Sequence, residues 1–548
     1  MKRNNILRIV CLILLVLPGG CTFLEKPPDN AANPMSGVGD FFKSGTSSQT
    51  SGGSQSGSLL SSTPLLNPPQ FDATLSIDTA TKKGVNRKVL GNNIQWVDHG
   101  DDLLDFGTLN LNVDKLNKAK TMGVTALRYP GGSLSDLYHF RDGLGPIGSR
   151  GRNQRFEALT DDVVLMGTVE FLTFARLVGA EPIITVNIPT GTPQEAADWV
   201  TLINVTGLTD PGGNPLPKVK YWEIGNEPYL IGAVRPGLAL QPKDFALKAN
   251  DTIKAMKAVD PSIMVGIPLR SDTLAGTPAT PFQGYNDAVL ADMVEPFDFV
   301  ALHNAYFPAI AGPPPSVTSM YRAIMSARQY VKADIDATKA ILTKHFPGQN
   351  FPVAITEYNA LFTIGQGSTD GLIASLIGAL YVADLLTLFA TTDEVLMANL
   401  WSLAGNFFFG AIRSDGKLRP TYHVFEGFNR VLTGQVLASQ ITSPLFKGAK
   451  AGFIPANDGL PAMSAVVTQT GTTLRAFVVN KHLDEEGRLT LDLGGLRLKS
   501  LKIQTLTSNK FIPDDVSITG WSLFKTLSPD QPVNISPHTM AILEMELN

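Results

Sequence analysis

Cysteine is almost missing from this 548-residue sequence: there are two, Cys11 and Cys21, both within the first 21 residues. Everything that follows is therefore without internal disulfides and without thiolate ligands for zinc or iron–sulfur chemistry. Histidine is scarce too, with seven residues scattered along the chain and no H-E-x-x-H pair, so no metal is expected. Neither sign of charge prevails, since 45 Lys and Arg stand against 49 Asp and Glu for a net charge of -4. That balance provides no strong basic field, which argues against nucleic acid as a partner and for a neutral substrate. Gly143-Leu144-Gly145-Pro146-Ile147-Gly148 matches G-x-G-x-x-G in form, but it contains proline and follows Arg141-Asp142 rather than a strand. No dinucleotide, and no cofactor of any kind, is expected. Beyond the N-terminus one long apolar stretch occurs, Gly371–Ala390, and it carries Asp384. A carboxylate is costly in lipid, so the stretch is read as a core helix.

What is present begins with Lys2, Arg3 and Arg8, an apolar run from Ile9 to Leu17, and then Pro18-Gly19-Gly20-Cys21. This is the three-part layout of a secretory signal. Small residues directly before a cysteine resemble the bacterial lipoprotein signal, although Pro18 stands where leucine is usual. Residues 1–21 are read as a lipoprotein-type signal peptide with Cys21 as the lipid attachment site, exporting the chain and holding it on the membrane of the cell envelope. The other reading is a plain signal peptide or retained anchor helix. Residues 22–69 are rich in Ser, Gly, Thr, Asn and Pro and cannot bury enough apolar surface to order themselves, so they are read as a disordered tether.

After the tether, short apolar runs alternate with helical stretches, the pattern of a parallel sheet with crossover helices. Eight strands are expected at Val89–Val97, Ala126–Tyr129, Pro182–Asn187, Tyr221–Ile224, Met264–Ile267, Phe297–Leu302, Val353–Thr356 and Leu396–Leu400. Helical stretches between them include Asp161–Val178, Pro193–Ile203, Pro242–Val259 and Met320–His345. Eight such units imply a closed (β/α)8 TIM barrel over residues 86–434. From residue 435 the pattern turns to short alternating segments without long helices, so residues 435–548, completed by 70–85, are expected to form an antiparallel β-sandwich.

In such a barrel the chemistry gathers at the C-terminal ends of the strands. The run Tyr221-Trp222-Glu223-Ile224-Gly225-Asn226-Glu227-Pro228 puts Glu227 just past the fourth strand, and Val353-Ala354-Ile355-Thr356-Glu357-Tyr358-Asn359 puts Glu357 at the end of the seventh. Two carboxylates across one cavity supply what acetal hydrolysis needs, a proton for the leaving oxygen and an anion for the oxocarbenium carbon; at about 5–5.5 Å the second can bond to that carbon and configuration is retained. Taken singly, either site also fits a polar turn or a surface carboxylate. His139 and His303 are candidates to line the pocket, with a hydrogen-bonded framework role as the alternative. Aromatics near strand ends, Trp96, Tyr138, Tyr229, Tyr306, Phe307 and Trp401, are candidates to stack on sugar faces, with core packing as the competing use.

The stretch Leu127-Arg128-Tyr129-Pro130-Gly131-Gly132-Ser133 through Tyr138-His139-Phe140-Arg141-Asp142-Gly143-Leu144-Gly145-Pro146, together with Gly225-Asn226-Glu227, Leu302-His303-Asn304-Ala305-Tyr306, Thr356-Glu357-Tyr358-Asn359 and Arg419-Pro420-Thr421-Tyr422-His423, resembles clan A of the glycoside hydrolases. Within that clan the likeness is to family 51, the α-L-arabinofuranosidases, and it runs from about Asn86 to the C-terminus. The resemblance implies Glu227 as acid/base and Glu357 as nucleophile, Asn226 bonding the sugar 2-hydroxyl, and Tyr306 holding the nucleophile in line. It implies further that Arg128 lies inside the barrel and orients Glu357, or else forms a structural ion pair. Three positions depart from the family pattern: Gln95 where a sugar-binding Glu is usual, Ser133 where Asn or Cys is usual, and Asn399 where Gln is expected. Each alters a group expected to contact the glycone. The expected activity is retaining exo-hydrolysis of α-L-arabinofuranosides from plant-type oligo- or polysaccharide. The alternatives are a β-xylosidase, β-glucuronidase or endoglucanase of the same clan, or a non-catalytic carbohydrate-binding envelope protein.

Overall fold

The computed structural model describes residues 68–155, 161–230, 238–271, 284–303, 309–311, 316–364, 373–405, 409–451, 454–511, 514–515 and 517–548. The signal segment with Cys21, nearly all of the tether, and Tyr306 and Phe307 lie outside them.

Eight parallel strands close into a barrel in sequence order: Gly91–Asn93, Ala126–Tyr129, Glu181–Val186, Tyr221–Ile224, Met264–Pro268, Phe299–Leu302, Val353–Tyr358 and Val395–Leu400. The expected first strand is the one that differs most. Arg87–Leu90 form a 3-10 turn, because the Asn86 side chain accepts the Lys88 N–H at 3.1 Å and donates to the carbonyls of Val395 and Leu396 at 2.8 and 3.1 Å. The turn is thereby pinned to the eighth strand, and only three residues are left to pair.

Two expected helices also change. Asp161–Val163 pair with Arg152–Gln154 as a small hairpin, and the helix starts at Thr168, where Glu170 reaches back to the Gly167 N–H at 3.0 Å. The stretch Met320–His345 is two helices, Val317–Ile324 and Ala327–His345, separated where Ser326 Oγ donates to the Ala323 carbonyl at 2.5 Å. By contrast, Pro242–Val259 is one helix, started by proline in its first turn, where no amide donor is needed.

The apolar stretch carrying Asp384 is the helix Leu376–Thr391, buried on every side from Leu376 to Ala390. No helix among the described residues is long and apolar enough to cross a membrane. Helices Leu376–Thr391 and Pro420–Val431 fill the space between the barrel and the C-terminal domain, where Phe428 stacks on Phe477 at 4.0 Å between ring centroids. Asp384 is answered from across that boundary by Lys481 Nζ at 3.0 Å, both side chains being buried.

The C-terminal domain is one nine-stranded sheet, in the order Lys525–Leu527, Leu498–Leu506, Thr539–Leu547, Thr473–Asn480, Met463–Thr470, Gln435–Thr442, Gln70–Gly84, Glu486–Asp492 and Val533–Ile535. Leu75, Val478, Leu489, Leu501, Val533 and Leu543, drawn from strands across its whole width, share one apolar cluster, so the sheet curls around its own core. The N-terminal strand Gln70–Gly84 pairs antiparallel with Gln435–Thr442 along one edge and parallel with Glu486–Asp492 along the other.

Candidate active site

Alternate residues of a barrel strand face the axis. Ala126, Ile183, Tyr221, Phe299, Ala354 and Met397 form an apolar floor, and two residues further along the same strands the interior turns polar with Arg128, Thr185, Glu223, Thr356 and Asn399, all fully buried. Arg128 organises this layer. Its Nε donates to Glu223 Oε2 at 2.5 Å, Nη1 to Asn93 Oδ1 at 3.1 Å and to Glu357 Oε1 at 2.7 Å, and Nη2 to Asn226 Oδ1 at 2.8 Å. The fork geometry of guanidinium lets one side chain tie the first, second, fourth and seventh strands together.

Glu357 occupies the end of the seventh strand, whose register with the eighth slips between Ile355 and Tyr358. Glu227 follows the fourth strand with φ of 40°, in the left-handed region that costs a non-glycine residue energy and recurs at functional sites. His303, just past the sixth strand, stands against both: its Nδ1 is 3.0 Å from Glu227 Oε1 and 3.9 Å from Glu357 Oε2. Those two legs bound the separation of the carboxylate oxygens at about 6.9 Å, within which the retaining distance of about 5–5.5 Å falls.

Burial raises the carboxyl of Glu357 above the usual range; His303 and Arg128 pull it back, while the charge of Glu227 adds to the rise. Burial by itself would lower His303, but the charges of Glu227 and Glu357 outweigh it and hold the imidazole above its ordinary value. The cluster thus favours a protonated imidazole beside the two acid side chains, in buried surroundings that strengthen each charge.

The remaining expected site residues divide. Asn226 is in the network, and Trp401 and Ser133 lie together above the second strand. Gly131 and Gly132 have φ of 70° and 60°, and a Cβ at Gly132 would come within 2.4 Å of the Trp401 ring, so glycine is what lets the Ser133 loop and the indole pack. The Ser133 hydroxyl is buried without a hydrogen-bond partner. Gln95 is buried, and its backbone N–H donates to Asp101 Oδ2 at 2.8 Å. For Asn399 the expectation of a glycone contact needs correcting. It is fully buried among the barrel strands, and its Nδ2 donates to the Asn92 carbonyl at 3.3 Å, which makes it part of the framework. Trp96 and Tyr138 are packed in an aromatic cluster with Tyr129 and Trp199. His139 faces Glu195 at 3.0 Å.

Glu223, Asn93, Thr185 and Thr356 carry the network and were not singled out from the residues. Glu223 accepts the hydroxyls of Thr185 at 2.7 Å and Thr356 at 2.8 Å, and Asn93 Nδ2 donates to the Thr356 carbonyl at 2.9 Å. A signal existed: in Tyr221-Trp222-Glu223-Ile224 a carboxylate shares the strand phase of a core tyrosine, and a charge there requires a buried partner. Among the described residues, no group of three or more His, Cys, Asp and Glu is placed to hold a metal ion.

Two family models match the chain. One, described as the alpha-L-arabinofuranosidase 1 domain, covers residues 118–287, and the other, the alpha-L-arabinofuranosidase C-terminal domain, covers residues 357–516. Alpha-L-arabinofuranosidase C of Emericella nidulans is 36% identical over 157 residues, 27% of this chain and 31% of that protein. The aligned stretch thus spans about a third of the length of such curated relatives. An intracellular exo-alpha-L-arabinofuranosidase of Bacteroides ovatus is 23% identical over 472 residues, 82% of this chain and 86% of its own. In fold, the chain is similar to an alpha-L-arabinofuranosidase from Thermotoga maritima solved as an arabinose complex, with a TM-score of 0.71 at 24% identity over 87% of this chain and 100% of that one. Glu227 lies inside the first matched domain and Glu357 opens the second, on a barrel similar in fold to that of the Thermotoga enzyme, so it is to α-L-arabinofuranosidases that the chain is similar in both matched domains.

Proposed function

We propose that the protein is a retaining exo-α-L-arabinofuranosidase acting on plant-type polysaccharide fragments. The observation that carries this reading is that Glu227 and Glu357 converge on one nitrogen of the His303 ring at the barrel mouth. In the first step a Glu357 oxygen bonds to the anomeric carbon while the carbon–oxygen bond to the leaving group breaks, and Glu227 delivers its proton to the departing oxygen. In the second, Glu227 as carboxylate takes a proton from water. The water oxygen bonds to the anomeric carbon, and the ester to Glu357 breaks. Arg128 and Asn93 steady the nucleophile, and Asn226, held by Arg128, faces the sugar beside Glu227.

A panel of aryl glycosides assayed with wild type, Glu227→Ala and Glu357→Ala tests this. Turnover of the α-L-arabinofuranoside should vanish in both variants, with azide restoring the Glu227→Ala enzyme on an activated substrate. Best turnover of a xyloside, a glucuronide or an internal glucan bond would move the assignment to that activity, a reading that Gln95 and Ser133 favour; full activity in either variant would sink the catalytic roles. The same proposal extends to location: export, and attachment to the envelope through a lipid on Cys21, as the N-terminal run ending in Gly19-Gly20-Cys21 supports. Radiolabelled fatty acid should enter the full chain and fail to enter Cys21→Ser.

A further inference from the structure

The reaction consumes no charge on Glu223, yet this carboxylate is fully buried one layer beneath the mouth. It accepts Arg128 Nε at 2.5 Å and the hydroxyls of Thr185 and Thr356 at 2.7 and 2.8 Å. Arg128 in turn donates to Glu357 at 2.7 Å, so one guanidinium stands between two carboxylates. Their situations differ in one respect. Glu357 exchanges its charge for an ester bond during the proposed cycle, whereas Glu223 never does.

Without a second anion, formation of the ester would strand a buried guanidinium with no counter-ion, a costly state in a dry barrel. Without it, too, Arg128 would give its full charge to ionised Glu357, and an anion that is too well matched is a poor nucleophile. We propose that Glu223 is a positioning residue, the permanent counter-charge of Arg128, which keeps the guanidinium fixed and compensated while Glu357 alternates between anion and ester. The inference rests on the reading of Glu357 as nucleophile.

Among the described residues, the charged and titratable groups that face Glu357 are Arg128 from the second strand, His303 just past the sixth, Glu227 and Tyr229 from the loop after the fourth, and Glu223 behind Arg128. Removing the charge of Glu223 leaves the others in place and lets Arg128 pull harder on Glu357. The carboxylate then survives to lower pH and attacks more slowly.

Glu223→Gln is isosteric and keeps an acceptor for Arg128 Nε and a donor for Thr356. On an aryl α-L-arabinofuranoside, kcat/KM at neutral pH should fall by about tenfold or more, and its acid limb should move down by about half a pH unit or more. Glu223→Asp, which keeps the charge, should leave the acid limb where wild type has it. An unmoved limb in a folded Glu223→Gln enzyme, activity lost only in proportion to the unfolded fraction, or failure of both variants to fold would each overturn the inference. An inactive wild type or a fully active Glu357→Ala enzyme would instead sink the functional reading; an active wild type with dead Glu357→Ala and a normal Glu223→Gln sinks this one alone.

Discussion

His303 Nδ1 stands 3.0 Å from Glu227 Oε1, its ring fully buried, and the same nitrogen lies 3.9 Å from Glu357 Oε2. A protonated imidazole placed there offsets negative charge on either acid and so lowers the repulsion between them.

Replacing His303 with Gln removes that positive charge. Because His303 is one of the groups pulling Glu357 back toward the ordinary carboxylate range, its loss should raise Glu357 further. The acid limb of the kcat/KM profile should therefore move to higher pH, the opposite direction from Glu223→Gln, with kcat/KM down about 10- to 100-fold. A profile shifted downward would contradict the charge assignment.

Arg128→Lys keeps one positive charge but cannot reach Glu223, Glu357, Asn93 and Asn226 at once, since an ammonium lacks the planar fork. At least one buried carboxylate would go short of its partner. Urea unfolding should report a loss of about 3 kcal/mol, and kcat/KM should drop about 100-fold or more even in the folded fraction. Near-normal stability and activity would show that a point charge suffices.

At Gly132 a methyl group meets both a φ of 60° and the Trp401 ring at 2.4 Å. Gly132→Ala should cost about 1–3 kcal/mol and displace the indole, raising KM for the aryl arabinofuranoside more than it lowers kcat. Thermal melts and steady-state kinetics on the same preparation decide the matter. A shift in kcat alone would place Trp401 outside the substrate's reach.

Lys481 and Asp384 join the C-terminal sheet to the barrel helix Leu376–Thr391, with Arg328 Nη1 at 3.6 Å as a second, weaker partner of the carboxylate. Lys481→Met leaves Asp384 buried with that partner alone. Stability should fall by about 3 kcal/mol, while kcat/KM of the folded protein stays within about twofold. Adding Asp384→Asn to the same chain should restore much of the loss, a double-mutant test of whether the two groups act as a pair.

Much of this was legible before any fold was known. The alternation of apolar runs with crossover helices implied eight strands and a closed barrel, and strand ends pointed to Glu227 and Glu357, because a barrel gathers chemistry on one face whatever its loops contain. The local departures were of another kind. Asn86 shortens the first strand by bonding to the eighth, and Ser326 splits a helix by bonding to its own backbone; both are side-chain choices that periodicity does not register. Asn399 misled because its strand phase puts it in the buried layer beneath the mouth, where its Nδ2 bonds to the Asn92 carbonyl.

By itself the order of residues determined the barrel, since alternating strands and crossover helices depend on local pattern and on a rule of topology, and it pointed to the ends of two strands as the place for Glu227 and Glu357. Only the tertiary structure decided that Arg128 is shared between Glu223 and Glu357 and that His303 faces both acids. Those contacts join residues tens to hundreds of positions apart, and their energies come from distances and from the exclusion of water, neither of which exists until the barrel closes.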